Sequence, residues 1–130
     1  RSAINVNEVC DVSPFGVEAL IAAYNDSEEW LEELKQYLFD NYNYLRAYFA
    51  EYLSEFPVSM LEGTYLVWAD CSVLNQSSDE TVKTLLEKEK LWVNEGSLYG
   101  EAGEGFIRIN IACPRQQLIE GLNRLRRALK

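Results

Sequence analysis

Histidine is absent from the chain's 130 residues. Its absence removes the commonest general base near neutral pH, the commonest zinc ligand, and every nucleophile arrangement of the Ser-His-Asp or Cys-His kind. Cysteine is scarce: Cys10, Cys71 and Cys113 are odd in number, far apart and without C-x-x-C spacing. That pattern supports neither a disulfide framework nor a metal clasp, and the three read as reduced thiols of a cytosolic protein. No apolar run approaches the ~20 residues of a membrane span, and residues 1–10 hold no apolar stretch like that of a secretory signal. Basic residues are outnumbered, 12 Lys plus Arg against 21 Asp plus Glu, for a formal net charge of −9. Such a balance opposes binding to phosphate backbones and anionic lipid.

What is present is ordinary material for a core: 48% of the residues are apolar, with three Trp, eight Tyr and five Phe. A chain of this length is expected to form one domain, since division sets in well past ~200 residues. Charge is unevenly spread. Residues 1–107 hold six basic and 20 acidic groups, a net of −14, whereas residues 108–130 hold six basic and one acidic, a net of +5. Arg124, Arg126, Arg127 and Lys130 fit the last turns of a helix, where cations meet the negative end of the helix dipole.

The three prolines fall at helix boundaries. Ser13-Pro14 reads as the N-cap and first position of a short apolar helix through Leu20, Ile21 and Tyr24. Asp26 is expected to cap a second helix with Glu28 and Glu29 in its first turn, apolar positions from Trp30 to Leu53, and its end at Pro57. At about 27 residues it would be ~40 Å long, more than so small a domain needs for its own core, and such a helix often bridges to something else. Beyond Pro57 the period becomes alternating: a strand with Val58 and Met60, a turn at Glu62-Gly63, and a strand from Thr64 to Ala69. Ser77 and Glu80 form a capping box for a helix carrying Val82, Leu85 and Leu86, and Leu91 to Val93 read as a short strand. A glycine-marked loop leads to a strand from Phe106 to Ile111, and Pro114 opens a last helix with Leu118, Ile119, Leu122, Leu125 and Leu129 on one stripe. The order α-α-β-β-α-β-β-α predicts an α+β domain of two layers, with helices packed on one face of a sheet.

Within the last strand the period of two puts Ile107, Ile109 and Ile111 on one face and Phe106, Arg108 and Asn110 on the other. An arginine in the middle of an apolar strand costs desolvation unless it finds a partner, and its planar fork suits a carboxylate. An arginine on a solvated face, or paired with one of the many acids, is the plainer explanation. The loop Gly100-Glu101-Ala102-Gly103-Glu104-Gly105 is not a phosphate cradle: it enters a strand and carries two glutamates, so it reads as a flexible connection or lid. Gly63 fits either a turn that needs positive φ or a close approach of backbone to ligand. Tyr99 fits a polar contact beside a site, though an aromatic at a loop end is more often packing. On these grounds alone, a stand-alone α+β module that binds a small acidic metabolite or a protein partner, without catalysis, stays open.

Three strings in order carry a resemblance: Gly63-Thr-Tyr-Leu-Val-Trp-Ala-Asp70, Val93-Asn-Glu-Gly-Ser-Leu-Tyr-Gly100, and Gly105-Phe-Ile-Arg-Ile-Asn-Ile-Ala-Cys-Pro-Arg115. With the opening from Val12 to Tyr24 and Glu29-Trp-Leu31, the chain resembles the C-terminal small domain of class I/II pyridoxal-phosphate-dependent aminotransferases, in the cystathionine β-lyase-like branch. The resemblance implies a small, mainly antiparallel sheet covered by helices on one face and preceded by a long connecting helix. Residues 1–27 would be the end of the large-domain segment with the connecting helix, and residues 28–130 the small domain. It implies that Arg108 holds the substrate's α-carboxylate, with Gly63 and Tyr65 at the mouth of the site. The parent would use pyridoxal 5'-phosphate on an amino acid as an aminotransferase or carbon–sulfur β-lyase, as a cytoplasmic homodimer. No position here matches the family's catalytic lysine, so the fragment would be inactive alone and hold no cofactor.

Overall fold

Ser13 starts the first helix of the computed structural model, which describes residues 12–130; Cys10 and the stretch read for a signal lie outside the described residues. The Ser13 side chain accepts the Gly16 N–H at 3.1 Å, with Pro14 at the first helical position, as expected of α1 (Pro14–Asp26). Asp26 is the last residue of α1 and not a cap. Only Ser27 separates α1 from α2 (Glu28–Tyr52), and it is the Ser27 carbonyl that accepts the Leu31 N–H. At 25 residues, α2 stops short of Pro57, because Leu53 to Phe56 close in a tight turn, with the Phe56 N–H on the Leu53 carbonyl.

The described residues fall into two compact units, residues 12–36 and 37–130. The first holds α1 and the start of α2. No side chain of α1 is buried, and Phe15, Leu20, Ile21 and Tyr24 stand exposed, as do Trp30 and Leu31 of α2. The second holds the rest of α2, then β1 (Leu66–Asp70), α3 (Ser78–Glu89), β2 (Asn94–Glu95), β3 (Phe106–Asn110) and α4 (Arg115–Leu129).

The three strands form an antiparallel sheet in the order β1-β3-β2. The expected alternation of β3 holds: Ile107, Ile109 and Ile111 are buried among Leu45 and Phe49 of α2, Leu85 of α3 and Leu118, Leu122 and Leu125 of α4. Helices therefore cover the isoleucine face, in the predicted α+β arrangement. Burying each such side chain stabilises the fold by roughly 1.5–3 kcal/mol relative to leaving it in water. The Ser77–Glu80 capping box forms at the start of α3, and Pro114 stands at the N-cap of α4. The basic end of α4 finds acids, Arg124 on Glu120 and Arg127 on Glu89.

Four local expectations are corrected. Val58 makes only an isolated bridge to Ala69, and Met60 joins no strand. Here the Tyr42 hydroxyl donates to the Ser59 carbonyl and accepts the Leu61 N–H, taking backbone groups that a ladder would need. The second short strand is Asn94–Glu95 and not Leu91 to Val93. Lys90, at φ 55°, ends α3 in the left-handed region and Leu91 N–H folds back onto the Leu85 carbonyl, so extended pairing begins later. The glycine loop is two tight 3₁₀ turns, Gly96–Tyr99 and Glu101–Gly103, and not an open connection. Gly96 and Gly103 are packed backbone to backbone: a Cβ on either would overlap the other's carbonyl oxygen. Gly63, finally, lacks the positive φ that the turn reading asked for; the left-handed residue of that turn is Thr64, at φ 65°.

Candidate functional site

Arg108 occupies the middle of the central strand, facing Trp68 of β1 on one side and Asn94 of β2 on the other. Directly opposed residues share a face, so Trp68, Arg108 and Asn94 lie side by side across the sheet, away from the isoleucine core. Asn94 Oδ1 accepts from the Arg108 NH2 group at 3.2 Å. The Tyr99 ring lies against the guanidinium, with the central carbon 4.4 Å from the ring centroid, and packs edge-on against Trp68 at 5.3 Å. Arginine carries five N–H donors. Of these, Nε is buried without an acceptor among the described residues, and one is given to Asn94.

The net acidity of the chain does not reach this group: among the described residues no carboxylate pairs with Arg108. A cleft of ≈ 330 Å³ at the β2 edge of the sheet is lined by Arg108, Trp92, Asn94, Ile109, Asn110, Cys113, Gln117 and apolar side chains of α4, and Arg108 is the one charged residue in that lining. A cationic planar fork without an acid partner is suited to a carboxylate. Of the two plainer explanations, an acid pair is not found among the described residues, and Arg108 is half-buried rather than fully solvated.

The sequence-derived candidates separate at this point. Gly63 and Tyr65 lie in the exposed approach to β1, where the Tyr65 carbonyl accepts the Ile111 N–H. Neither lines the cleft or contacts the guanidinium. Tyr99, weighed between polar contact and packing, packs its ring against Arg108 and Trp68. Asn94 and Trp68 were missed, and only the strand register identifies them.

No other described group competes as a reactive centre. Burial, reinforced by the Asp70 charge, pushes the Cys71 thiol up to about 12, and burial also raises Cys113, so both are protonated near neutral pH. Both thiols are free. No cluster of metal-ligating side chains exists among the described residues, and none of their helices is long and apolar enough to cross a membrane.

The sequence model of the family "Aminotransferase class I and II" matches residues 4–125. Protein MalY of Escherichia coli K12 is 36% identical over 118 residues, covering 91% of this chain and 30% of MalY. Cystathionine β-lyase PatB of Bacillus subtilis 168 is 33% identical over 128 residues, covering 98% of this chain and 33% of PatB. A pyridoxal-phosphate-bound crystal structure from Clostridium difficile 630 superposes with a TM-score of 0.92 at 36% identity, over 99% of this chain and 33% of that one. The chain thus spans about a third of the length of the relatives it matches. With a family match over nearly its whole length and that family's fold, this chain belongs to the class I and II aminotransferases.

Proposed function

We propose that the chain is the carboxylate-holding part of a longer pyridoxal 5'-phosphate enzyme, an aminotransferase or carbon–sulfur β-lyase, with Arg108 binding the α-carboxylate of its amino-acid substrate. One observation carries this reading: Arg108 is the sole charge lining its cleft and has no carboxylate partner among the described residues. The likeness to PatB, named a cystathionine β-lyase, supports the carbon–sulfur branch. In this reading residues 1–27 close the large-domain segment and residues 28–130 are the small domain. The exposed apolar side chains of α1 support a neighbour supplied by the rest of the protein. Gly63 and Tyr65 are secondary candidates at the mouth of the site.

Pyridoxal 5'-phosphate, when bound, supplies an electron sink for negative charge at the substrate Cα. The residues of this chain do not fit that group itself. It needs a lysine for its aldehyde and donors for its phosphate. Each lysine here is engaged away from Arg108: Lys35 with Glu32, Lys83 with Glu87, Lys130 with Glu55, and Lys88 and Lys90 with backbone carbonyls. The cofactor is therefore held elsewhere in the complete protein, and the chain alone is inactive. What Arg108 contributes is orientation. A carboxylate gripped by two parallel hydrogen bonds cannot tumble.

Replacing Arg108 by Ala in the complete enzyme is expected to lower kcat/KM by about 30- to 1000-fold, a loss of about 2–4 kcal/mol in transition-state binding. Unchanged kinetics would overturn the assignment.

A further inference from the structure

The guanidinium of Arg108 is held by two restraints of different kinds. The Tyr99 ring, 4.4 Å away, limits its tilt. Stacking is tolerant of sliding and of rotation within the stacked plane, so Tyr99 alone leaves the direction of the fork undecided. Asn94 supplies the missing restraint, because its Oδ1, 3.2 Å from NH2, is the one described hydrogen-bond acceptor on the guanidinium. Asn94 and Arg108 are register partners, so the amide approaches from backbone that β3 itself fixes.

The identity of the acceptor matters as much as its place. An amide oxygen holds NH2 without neutralising it, whereas a carboxylate there would pair with the guanidinium and compete with an incoming anion. The next residue along β2 is an acid, Glu95, but it stands opposite Ile107 and so belongs to the other face of the sheet. The chain thus places a neutral acceptor on the Arg108 face and keeps the neighbouring negative charge off it.

Resting on the reading of Arg108 as the carboxylate holder, we propose that Asn94 is a positioning residue for substrate recognition: it sets the in-plane direction of the Arg108 fork and, being uncharged, leaves the full positive charge for the substrate's carboxylate.

The test uses the complete, cofactor-loaded enzyme with Asn94→Asp, Asn94→Ala, Arg108→Ala and the two double variants. Asn94→Asp, nearly isosteric, is expected to raise KM for an amino-acid substrate by about 10- to 100-fold while kcat changes by less than about 3-fold. Asn94→Ala is expected to raise KM by roughly 3- to 10-fold. In the Arg108→Ala background neither substitution has a further effect beyond about 2-fold, since a residue acting through Arg108 has nothing left to orient. As a readout apart from turnover, Asn94→Asp weakens binding of an amino-acid inhibitor but not of the amine lacking its carboxylate. If both single variants bind and turn over like the wild type while Arg108→Ala does not, or if their effects persist without Arg108, the inference falls and the role of Arg108 stands. If Arg108→Ala itself changes nothing, the reading of Arg108 falls and the inference with it.

Discussion

Arg108 and Arg115 stand on either side of the bend that joins β3 to α4, and each has an asparagine carbonyl and a tyrosine ring as neighbours. Arg115 Nε donates to Asn41 Oδ1 at 2.8 Å, and its guanidinium lies 5.0 Å from the centroid of Tyr44. Asn41 is fully buried, and its amide nitrogen donates to the Ile111 and Cys113 carbonyls. The backbone N–H of Arg115 is in turn accepted by the Tyr37 hydroxyl. Every part of that network ties α2 to the end of the sheet and the start of α4. The Arg108 group is built of the same residue types but is left incomplete: its asparagine is half-buried on a two-residue edge strand, its Nε has no acceptor, and its arginine and asparagine line a cleft. The Arg115 cluster fastens the fold through a buried asparagine, whereas the Arg108 group, with a buried Nε left unpaired, is the one on which the proposed ligand role rests.

That contrast is broken if the two arginines fail in the same way. The largest effect is expected at Arg108: its replacement by Ala costs about 30- to 1000-fold in kcat/KM but changes the free energy of urea unfolding by less than ~1 kcal/mol, because removing the buried, unpaired Nε offsets the lost Asn94 bond and Tyr99 contact. Asn41→Leu should do the reverse. It leaves the Ile111 and Cys113 carbonyls and Arg115 Nε unpaired, at a cost of about 2–4 kcal/mol in urea unfolding, with kcat/KM of the folded enzyme within about 3-fold of wild type. Arg115→Ala is milder, about 1–2 kcal/mol in the same measurement, because it orphans only Asn41 Oδ1 and strips one face of Tyr44. The smallest change sharpens the comparison: Tyr99→Leu removes the platform under Arg108 and should raise KM by roughly 3- to 5-fold, equivalent to about 0.5–1 kcal/mol, with unfolding little altered.

Much of the scaffold was legible from residues alone. Alternation in Phe106 to Ile111 marked both the core face and the arginine face, and Ser13-Pro14 and Ser77 with Glu80 marked helix starts, because these signals depend on near neighbours in the chain. Arg108 was singled out by the cost of placing a charge in an apolar strand, while its proposed carboxylate role came from the family resemblance. Its neighbours were not: Trp68 and Asn94 come to it only through antiparallel register, which a sequence does not print. Asn41 was invisible for a related reason. An asparagine in an amphipathic helix reads as solvent-facing, and only the distant Ile111 and Cys113 carbonyls account for its burial. The supposed strand at Val58 and Met60 failed because a side chain, the Tyr42 hydroxyl, met the backbone groups first. The apolar side chains of α1 stand in the predicted helix, yet none of them is buried.

The most direct measurement compares an amino-acid inhibitor with the amine that lacks its carboxylate, as dissociation constants in the complete wild-type enzyme and in Arg108→Ala. The expected result is a wild-type preference for the amino acid of about 30- to 1000-fold that largely disappears in Arg108→Ala, while affinity for the amine stays within about 3-fold. An undiminished preference in the variant would contradict the account, because the carboxylate would then be held by a group other than Arg108.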